Sequence, residues 1–394
     1  MISFDEAQAR IAAHICPLGR EDVALAAASG RVLAQDLTAR MDSPRYAVAA
    51  MDGYAVCDAT TQPDQPLHVI GESRAGAGFT GSVAAGQAVR IFTGAPMPEG
   101  ADRCIMQESA TREGDSVRFA AGYGPGWHVR APGSDFTAGA TLLRAGTRLT
   151  ARAMIGAAAA DAAQLSVFKQ PRVAIIGTGD ELAPPGNAHM GADLIPESVT
   201  FGVAAMVAEA GGLCVSKSVG ADDLSALEAA AQSALDVADL VVVTGGASVG
   251  ERDFAKPMFA AHGLDLLFTK VAIKPGKPVW IGQAAGSWIV GLPGNPTSAM
   301  VTARLFLAPV LARLQGQVAP DLLAWRRLPL AAPLPSTGDR ETFVRARWEA
   351  EGLMPLGNQD SGAQQALSEA DWLIRCAAGQ PACAAGELVN CLNF

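Results

Sequence analysis

Beyond residue 171 the apolar positions fall in short unbroken runs, separated by longer stretches with helical spacing. The runs 172–176, 213–219, 240–244 and 264–271 read as strands, and 198–210, 222–234 and 254–261 as helices. Gly211-Gly212 and Gly263 mark two of the helix ends. Two further strands, 278–281 and 288–291, precede a last helix reaching about residue 314. Strands apolar at every position need cover on both faces. The pattern therefore predicts a doubly wound parallel sheet, whose ligands sit beyond the carboxyl ends of the strands.

The first 170 residues are patterned differently. Ser3 and Glu6 form a capping box ahead of Ala7, Ile11, His14 and Ile15, which share one helical face. A second helix is expected over 21–28, stopped by Gly30, and a strand over 31–37. Between 43 and 140 the runs 66–70, 87–92, 103–107, 116–120 and 127–130 alternate between Gly and Pro clusters, which predicts an all-β segment. An Ala-rich helix over 151–165 would pack on the N-terminal helices and leave the β segment as an insertion. Residues 320–335 read as linker, and 342–348, 372–376 and 387–392 as strands of a small β domain. Four units are expected: 1–42 with 141–168, 43–140, 169–317 and 318–394.

Composition narrows the function. The chain has 394 residues, 49% of them hydrophobic and 18% charged, which suits several packed cores. A net charge of −9 argues against a nucleic-acid or anionic-membrane surface, although local lysines can still hold a small anion. Seven cysteines with no Cys-x-x-Cys pair read as reduced thiols. The start is acidic where a signal peptide would be basic, and the apolar runs fall short of a membrane span. The expectation is a soluble cytoplasmic protein.

Three strand ends carry the candidate chemistry. Leu292-Pro293-Gly294-Asn295-Pro296-Thr297-Ser298-Ala299 links a strand to a helix, with Asn295 at the N-cap and Pro296 at the first helical position, an anion-binding geometry or simply an ordinary capped turn. Gly177-Thr178-Gly179-Asp180-Glu181 starts like a dinucleotide fingerprint, but Leu182 stands where the third glycine belongs, and acids stand where a pyrophosphate would lie. The third turn runs from Thr244-Gly245-Gly246 through Ser248, Gly250 and Asp253. Lys270, Lys274 and Lys277 lie on a proline-stiffened stretch, Lys274-Pro275-Gly276-Lys277-Pro278, which is not a phosphate-binding Walker loop. Beside Glu181 and Asp253 they suit a ligand combining an oxyanion with a divalent cation, the alternative being a solvated run of surface charge.

These segments, in this order, resemble the molybdopterin molybdenumtransferases, the family of MoeA and the gephyrin C-terminal domain. The resemblance is carried by Met51-Asp52-Gly53-Tyr54, Thr93-Gly94-Ala95-Pro96, Gly133-Ser134-Asp135, Thr178-Gly179-Asp180-Glu181, Thr244-Gly245-Gly246, Lys274 to Pro278, and Leu292 to Ala299. It implies a multidomain α/β plus β fold: an N-terminal helical region carrying the β insertion, a doubly wound molybdopterin-binding α/β domain, and a C-terminal small β barrel. It implies a homodimer with each active site between the α/β domain of one subunit and the β insertion of the other. The implied reaction inserts molybdate into adenylylated molybdopterin with Mg²⁺, releasing AMP and molybdenum cofactor. Transient contact with the molybdopterin adenylyltransferase would fit that sequence of steps.

On this resemblance the catalytic candidates are Asp52, Thr93, Glu181, Asp253, Lys270 and Lys274, with Thr93 offered to an oxyanion of the partner subunit. Glu181, Asp222 or Asp223, and Asp253 are metal candidates. Thr178, Gly179, Asp180, Gly245, Gly246, Ser248, Gly250, Lys277, Pro293, Gly294, Asn295, Pro296 and Ser298 would hold the pterin and its phosphate. Three positions depart from the family pattern: Val199 replaces an amide, Asp360 a glycine and Ala49 a serine. The competing readings are the related adenylyltransferase, which usually lacks the flanking domains, and a non-catalytic molybdopterin-binding scaffold.

Overall fold

The computed structural model describes residues 1–246, 254–317 and 323–394. Its central sheet runs in the order Leu213–Gly220, Arg172–Thr178, Leu240–Thr244, Ser287–Leu292, Trp280–Ala284 and Asp265–Phe268. The first four strands are parallel. Trp280–Ala284 runs opposite to them and pairs antiparallel with both its neighbours, so the sheet is mixed rather than wholly parallel. Only Ala285 and Gly286, both at positive φ, separate Trp280–Ala284 from Ser287–Leu292. Two residues make a hairpin and leave no room for a crossover helix.

Period-two alternation sorts the strand side chains onto two cores. Val173, Ile175, Leu240 and Val242 face Val203 and Val207 of the helix Val199–Glu209, together with Leu305 and Leu311 of the last helix. Ala174, Ile176, Val241 and Val243 face Leu227 and Ala231 of Leu224–Leu235, together with Met258 and Phe259. Both faces are covered, which is why these strands carry no polar alternation. The last helix, 296–314, has a π-helical turn at Ala303–Leu307. It is long and apolar enough to span a bilayer, but its most apolar window is 78% buried inside the protein, the character of a core helix.

The first helix forms over Phe4–His14, with the Ser3 side chain accepting from the Glu6 amide. It joins the α/β core, where Phe4, Ala7, Ile11 and Ile15 are all buried. The helix expected at 21–28 is instead the strand Arg20–Ala24 followed by a short 3₁₀ turn. The Ala-rich helix ends at Ala159, and Gln164–Phe168 returns as a strand paired with Arg20–Ala24. Asp161, at φ 59°, turns the chain, and Leu165 and Val167 then alternate toward a small core with Leu33 and Leu149. Helical composition over 151–159 had masked this two-residue period. Over 31–37 the chain makes only isolated bridges at Val32 and Leu33 before the short strand Leu37–Thr38.

The inserted unit is a six-stranded sheet, ordered Arg103–Met106, Gly53–Val56, Gln87–Ile91, Leu67–Ser73, Ser116–Phe119, Ala110–Glu113. Two ribbons carry the chain in and out of it: Leu37–Thr38 with Thr141–Leu143, and Val48–Ala49 with Val129–Arg130. In the C-terminal unit the paired path runs Gly352–Pro355, Glu341–Glu349, Trp372–Cys376, Leu388–Asn393, Arg326–Pro329. A bridge from Leu330 to Leu353 joins its two ends, closing the barrel. The lysine loop is tied to this barrel, because Ile273–Lys274 pairs in parallel with Glu341 and Thr342.

One ring holds three of these pieces together. Phe4 meets Phe306 of the last helix at 5.8 Å, Phe343 of the barrel at 5.2 Å and Trp325 at 6.3 Å, each edge to face. Phe4→Ala should therefore destabilise the α/β–barrel unit by about 3–5 kcal/mol. Scanning calorimetry should show the main transition moving down by several degrees, and an unchanged transition would contradict this account of the packing.

Candidate active site

The carboxyl ends of three neighbouring strands stop at one level of the sheet and carry the turns at 178–181, 244–246 and 292–296. They are packed backbone to backbone. A Cβ on Gly245 would lie 2.5 Å from the Thr178 carbonyl oxygen, and one on Gly294 would lie 3.3 Å from the Gly245 Cα. Gly245 also has φ of +94°, so no other residue fits there without moving the neighbouring strand. Above the turns opens a cavity of about 820 Å³. Thr178, Gly179, Glu181, Gly245, Gly246, Pro293, Gly294, Asn295 and Pro296 line it, with Asp222, Lys270 and Lys277. Ser248, Gly250 and Asp253 lie outside the described residues.

The acids divide by role. Asp223 caps the helix Leu224–Leu235, its carboxylate accepting from the Ala226 amide at 2.8 Å. Asp180 accepts from the Asp222 amide at 2.9 Å and so fixes the turn that presents Asp222. Asp222 and Glu181 are the members of the predicted metal set that line the cavity among the described residues. Glu197, which sequence reasoning passed over, also lines it. Glu197 is buried, with one carboxylate oxygen accepting from the Thr200 amide and the other from the Thr200 hydroxyl. Among the described residues no group of three or more His, Cys, Asp or Glu side chains converges in the manner of a complete metal site.

The lysine loop stands between two cavities. A second one, about 770 Å³, is walled by Lys274 and Lys277, by Arg340 and Thr342 of the barrel, and by Ser298 and Ser361. Lys277 and Pro278 border both. Ser298 therefore faces this second space. None of the three lysines has an ion-pair partner among the described residues. Arg340 had no signal in the sequence, since only the barrel's pairing with the lysine loop brings it there.

Asn295 holds the N-cap position, but its side chain does not cap. Its amide donates to the Ser361 hydroxyl at 2.9 Å, while the Thr297 amide donates to the Ser361 carbonyl at 3.1 Å. The barrel loop at 358–363 is thus seated on the start of the last helix. Arg345, 1% exposed, holds that loop through the carbonyls of Asn358, Asp360 and Ala363, and reaches across to the Thr297 hydroxyl. Asp360 turns its carboxylate onto the Gly362 amide and lies close enough to Arg345 to act on its charge. The acid that departs from the family pattern is thus held in place, and it stands on the wall of the second cavity. Val199, a second departure, begins its helix and gives the first cavity an apolar wall, and Ala49, the third, is buried in the insertion.

Asp52 and Thr93 are together, but away from this cavity. Asp52 Oδ1 accepts from the Thr93 amide and from its hydroxyl, both at 2.7 Å. The Thr93 amide first, and then its hydroxyl, hold the Asp52 carboxyl below its usual range. The Thr93 hydroxyl proton is therefore directed at Asp52, and an incoming oxyanion would have to compete for it. Neither residue lines either cavity in its own chain.

Sequence comparison agrees with this geometry along almost the whole chain. Residues 2–161 match the MoeA N-terminal region (domain I and II), 174–313 a probable molybdopterin binding domain, and 327–394 the MoeA C-terminal region (domain IV). The molybdopterin molybdenumtransferase of Haemophilus influenzae is 35% identical over 319 residues, 80% of this chain and 78% of that protein. The chain belongs to the molybdopterin molybdenumtransferase family. Molybdopterin molybdenumtransferase 2 of Mycobacterium tuberculosis is 36% identical over 336 residues, 82% of each chain. A MoeA structure from Pyrococcus horikoshii superposes with a TM-score of 0.83 at 28% identity, covering all of both chains. The protein is accordingly a transferase, with the family's activity of producing molybdenum cofactor.

Among molybdenumtransferase residues, Asp222 and Asp223 make a direct contrast. Asp223→Ala should cost about 1 kcal/mol of stability through the lost cap and leave turnover near the parent's. Asp222→Ala should do the reverse, and thermal unfolding with a turnover assay on both variants would show it. Equal turnover losses would mean that Asp223 has a second role.

Proposed function

We propose that this molybdenumtransferase takes adenylylated molybdopterin in the first cavity and molybdate beside it, and releases AMP as the cofactor forms. The observation that supports this best is the meeting of three backbone-lined turns with lysines that have no ion-pair partner among the described residues at one cavity. Backbone N–H groups at strand-end turns and lysine ammonium groups suit a pyrophosphate. The second cavity, with Lys274, Lys277 and Arg340 on its walls, suits a small tetrahedral dianion, and Lys277 would face both substrates.

Mg²⁺ fits the residues present. It is commonly held by one or two carboxylates plus substrate phosphates, and Glu181 and Asp222 at neighbouring strand ends supply such a pair. A bound Mg²⁺ would offset the charge that builds on the departing AMP phosphate. Lys270 and Lys277 orient the pyrophosphate, and the Thr178, Gly245 and Gly294 turns fix the register of the pterin end.

The reading includes a homodimer. Asp52, half-buried, and Thr93, exposed, stand beside the strands of the inserted sheet, outside their own chain's two cavities, and would complete the site of a second copy. It also includes a cytoplasmic location, supported by seven unpaired cysteines. AMP release from adenylylated molybdopterin and molybdate should stop when Mg²⁺ is chelated. Asp52→Asn and Glu181→Gln should each reduce release to a low but measurable residual rate, yet mixing the two after subunit exchange should restore about a quarter of parental activity, one intact site per heterodimer. Mixtures that stay at the residual rate while exchange is verified would sink the shared-site reading.

A further inference from the structure

We infer that Arg90 is the positioning residue for Asp52, fixing where that carboxylate stands when it meets the substrate. The inference rests on the reading that Asp52 completes the site of a second copy. Arg90 lies on the strand Gln87–Ile91, next to Gly53–Val56. Its guanidinium sits 5.2 Å from the Tyr54 ring centroid and 4.7 Å from that of Phe92. Nη1 donates to the Gly53 carbonyl at 2.7 Å and Nη2 to Gln107 Oε1 at 2.5 Å. The Gln107 amide in turn donates to the Asp52 carbonyl at 3.0 Å.

One planar group therefore touches the residue after Asp52, the residue before Thr93 and the residue that holds the Asp52 backbone. Lysine offers neither the fork of donors nor a plane for the rings. Position matters here because the substrates are polyanions, and an unaccompanied carboxylate would be repelled by them. Arg90 also acts in the direction that keeps Asp52 ionised, behind the two Thr93 bonds. The other titratable group facing Asp52 is the Cys104 thiol on the adjacent strand, pushed up to about 11 chiefly by burial, so it brings no competing charge at neutral pH. Arg74, on Phe92 at 6.0 Å, is paired with Glu72.

The test is a double-mutant cycle on the full-length protein. Arg90→Gln should lower kcat for AMP release roughly tenfold, the range of a lost charged hydrogen bond. KM for adenylylated molybdopterin should stay within about twofold, because the cavity that binds it belongs to another domain. Arg90→Lys should fall between Gln and the parent. In an Asp52→Asn background Arg90→Gln should cost nothing further, since its effect runs through Asp52. Hydrogen exchange at 92–95 should quicken in Arg90→Gln, with the thermal transition held within about 3 °C of the parent. A parental kcat in Arg90→Gln, an equal loss in both backgrounds, or unchanged exchange would overturn the inference. Parental activity in Asp52→Asn would instead overturn the reading of Asp52 itself, whatever the exchange shows.

Discussion

Everything at the candidate site depends on how closely three strand-end turns approach one another. Gly245 leaves no space for a Cβ above the Thr178 carbonyl, and Gly294 leaves little above Gly245. That contact sets the floor of the cavity at backbone level, lined by glycines, prolines and short side chains. Peptide dipoles need no reorganisation when an anion arrives, and they lose no side-chain entropy. The lysines and carboxylates act on that fixed floor, and their positions follow from the strands that end there.

The C-terminal barrel is part of the site and not an appendage to it. Burying the Arg345 guanidinium is expensive unless its donors are met, and burial does push its pKa down. Four of its contacts fall on the 358–363 loop and on Thr297, while Nε remains without a partner. The arrangement exchanges hydration of one cation for the order of a loop that seats Ser361 on Asn295 and Thr297. The helix start that looks like an open anion seat is thus partly occupied by a neighbouring domain. What the ligand meets there is the composite of the turn and the loop.

Much of this was legible in the sequence because it is local. Gly-framed turns after apolar strands located the floor, and the lysine loop was visible from its prolines. The α/β order followed from period and punctuation, except where Ala285-Gly286 turned a supposed parallel strand back on itself. Misreadings arose where two signals overlap, as at 151–168, where alanine favours helix and the Leu165–Val167 alternation favours strand. Arg340, Arg345 and Glu197 carried no local signal. Their roles come from pairing across long sequence separations, as when Glu341 and Thr342 join the lysine loop. The choice between Asp222 and Asp223 was likewise undecidable from sequence, since adjacent acids differ only in which way the helix start turns them.

Asp52 is the residue on which the proposed shared site turns. Its carboxylate is exposed, held by Thr93 and kept ionised, an arrangement that does little for the packing of its own domain. The cavity, for its part, presents Lys270 and Lys277 together with the carboxylates of Glu181, Glu197 and Asp222. A prepared carboxylate without a ligand and a ligand site without that carboxylate are complementary, and in the proposed homodimer two copies related by symmetry would supply each with the other.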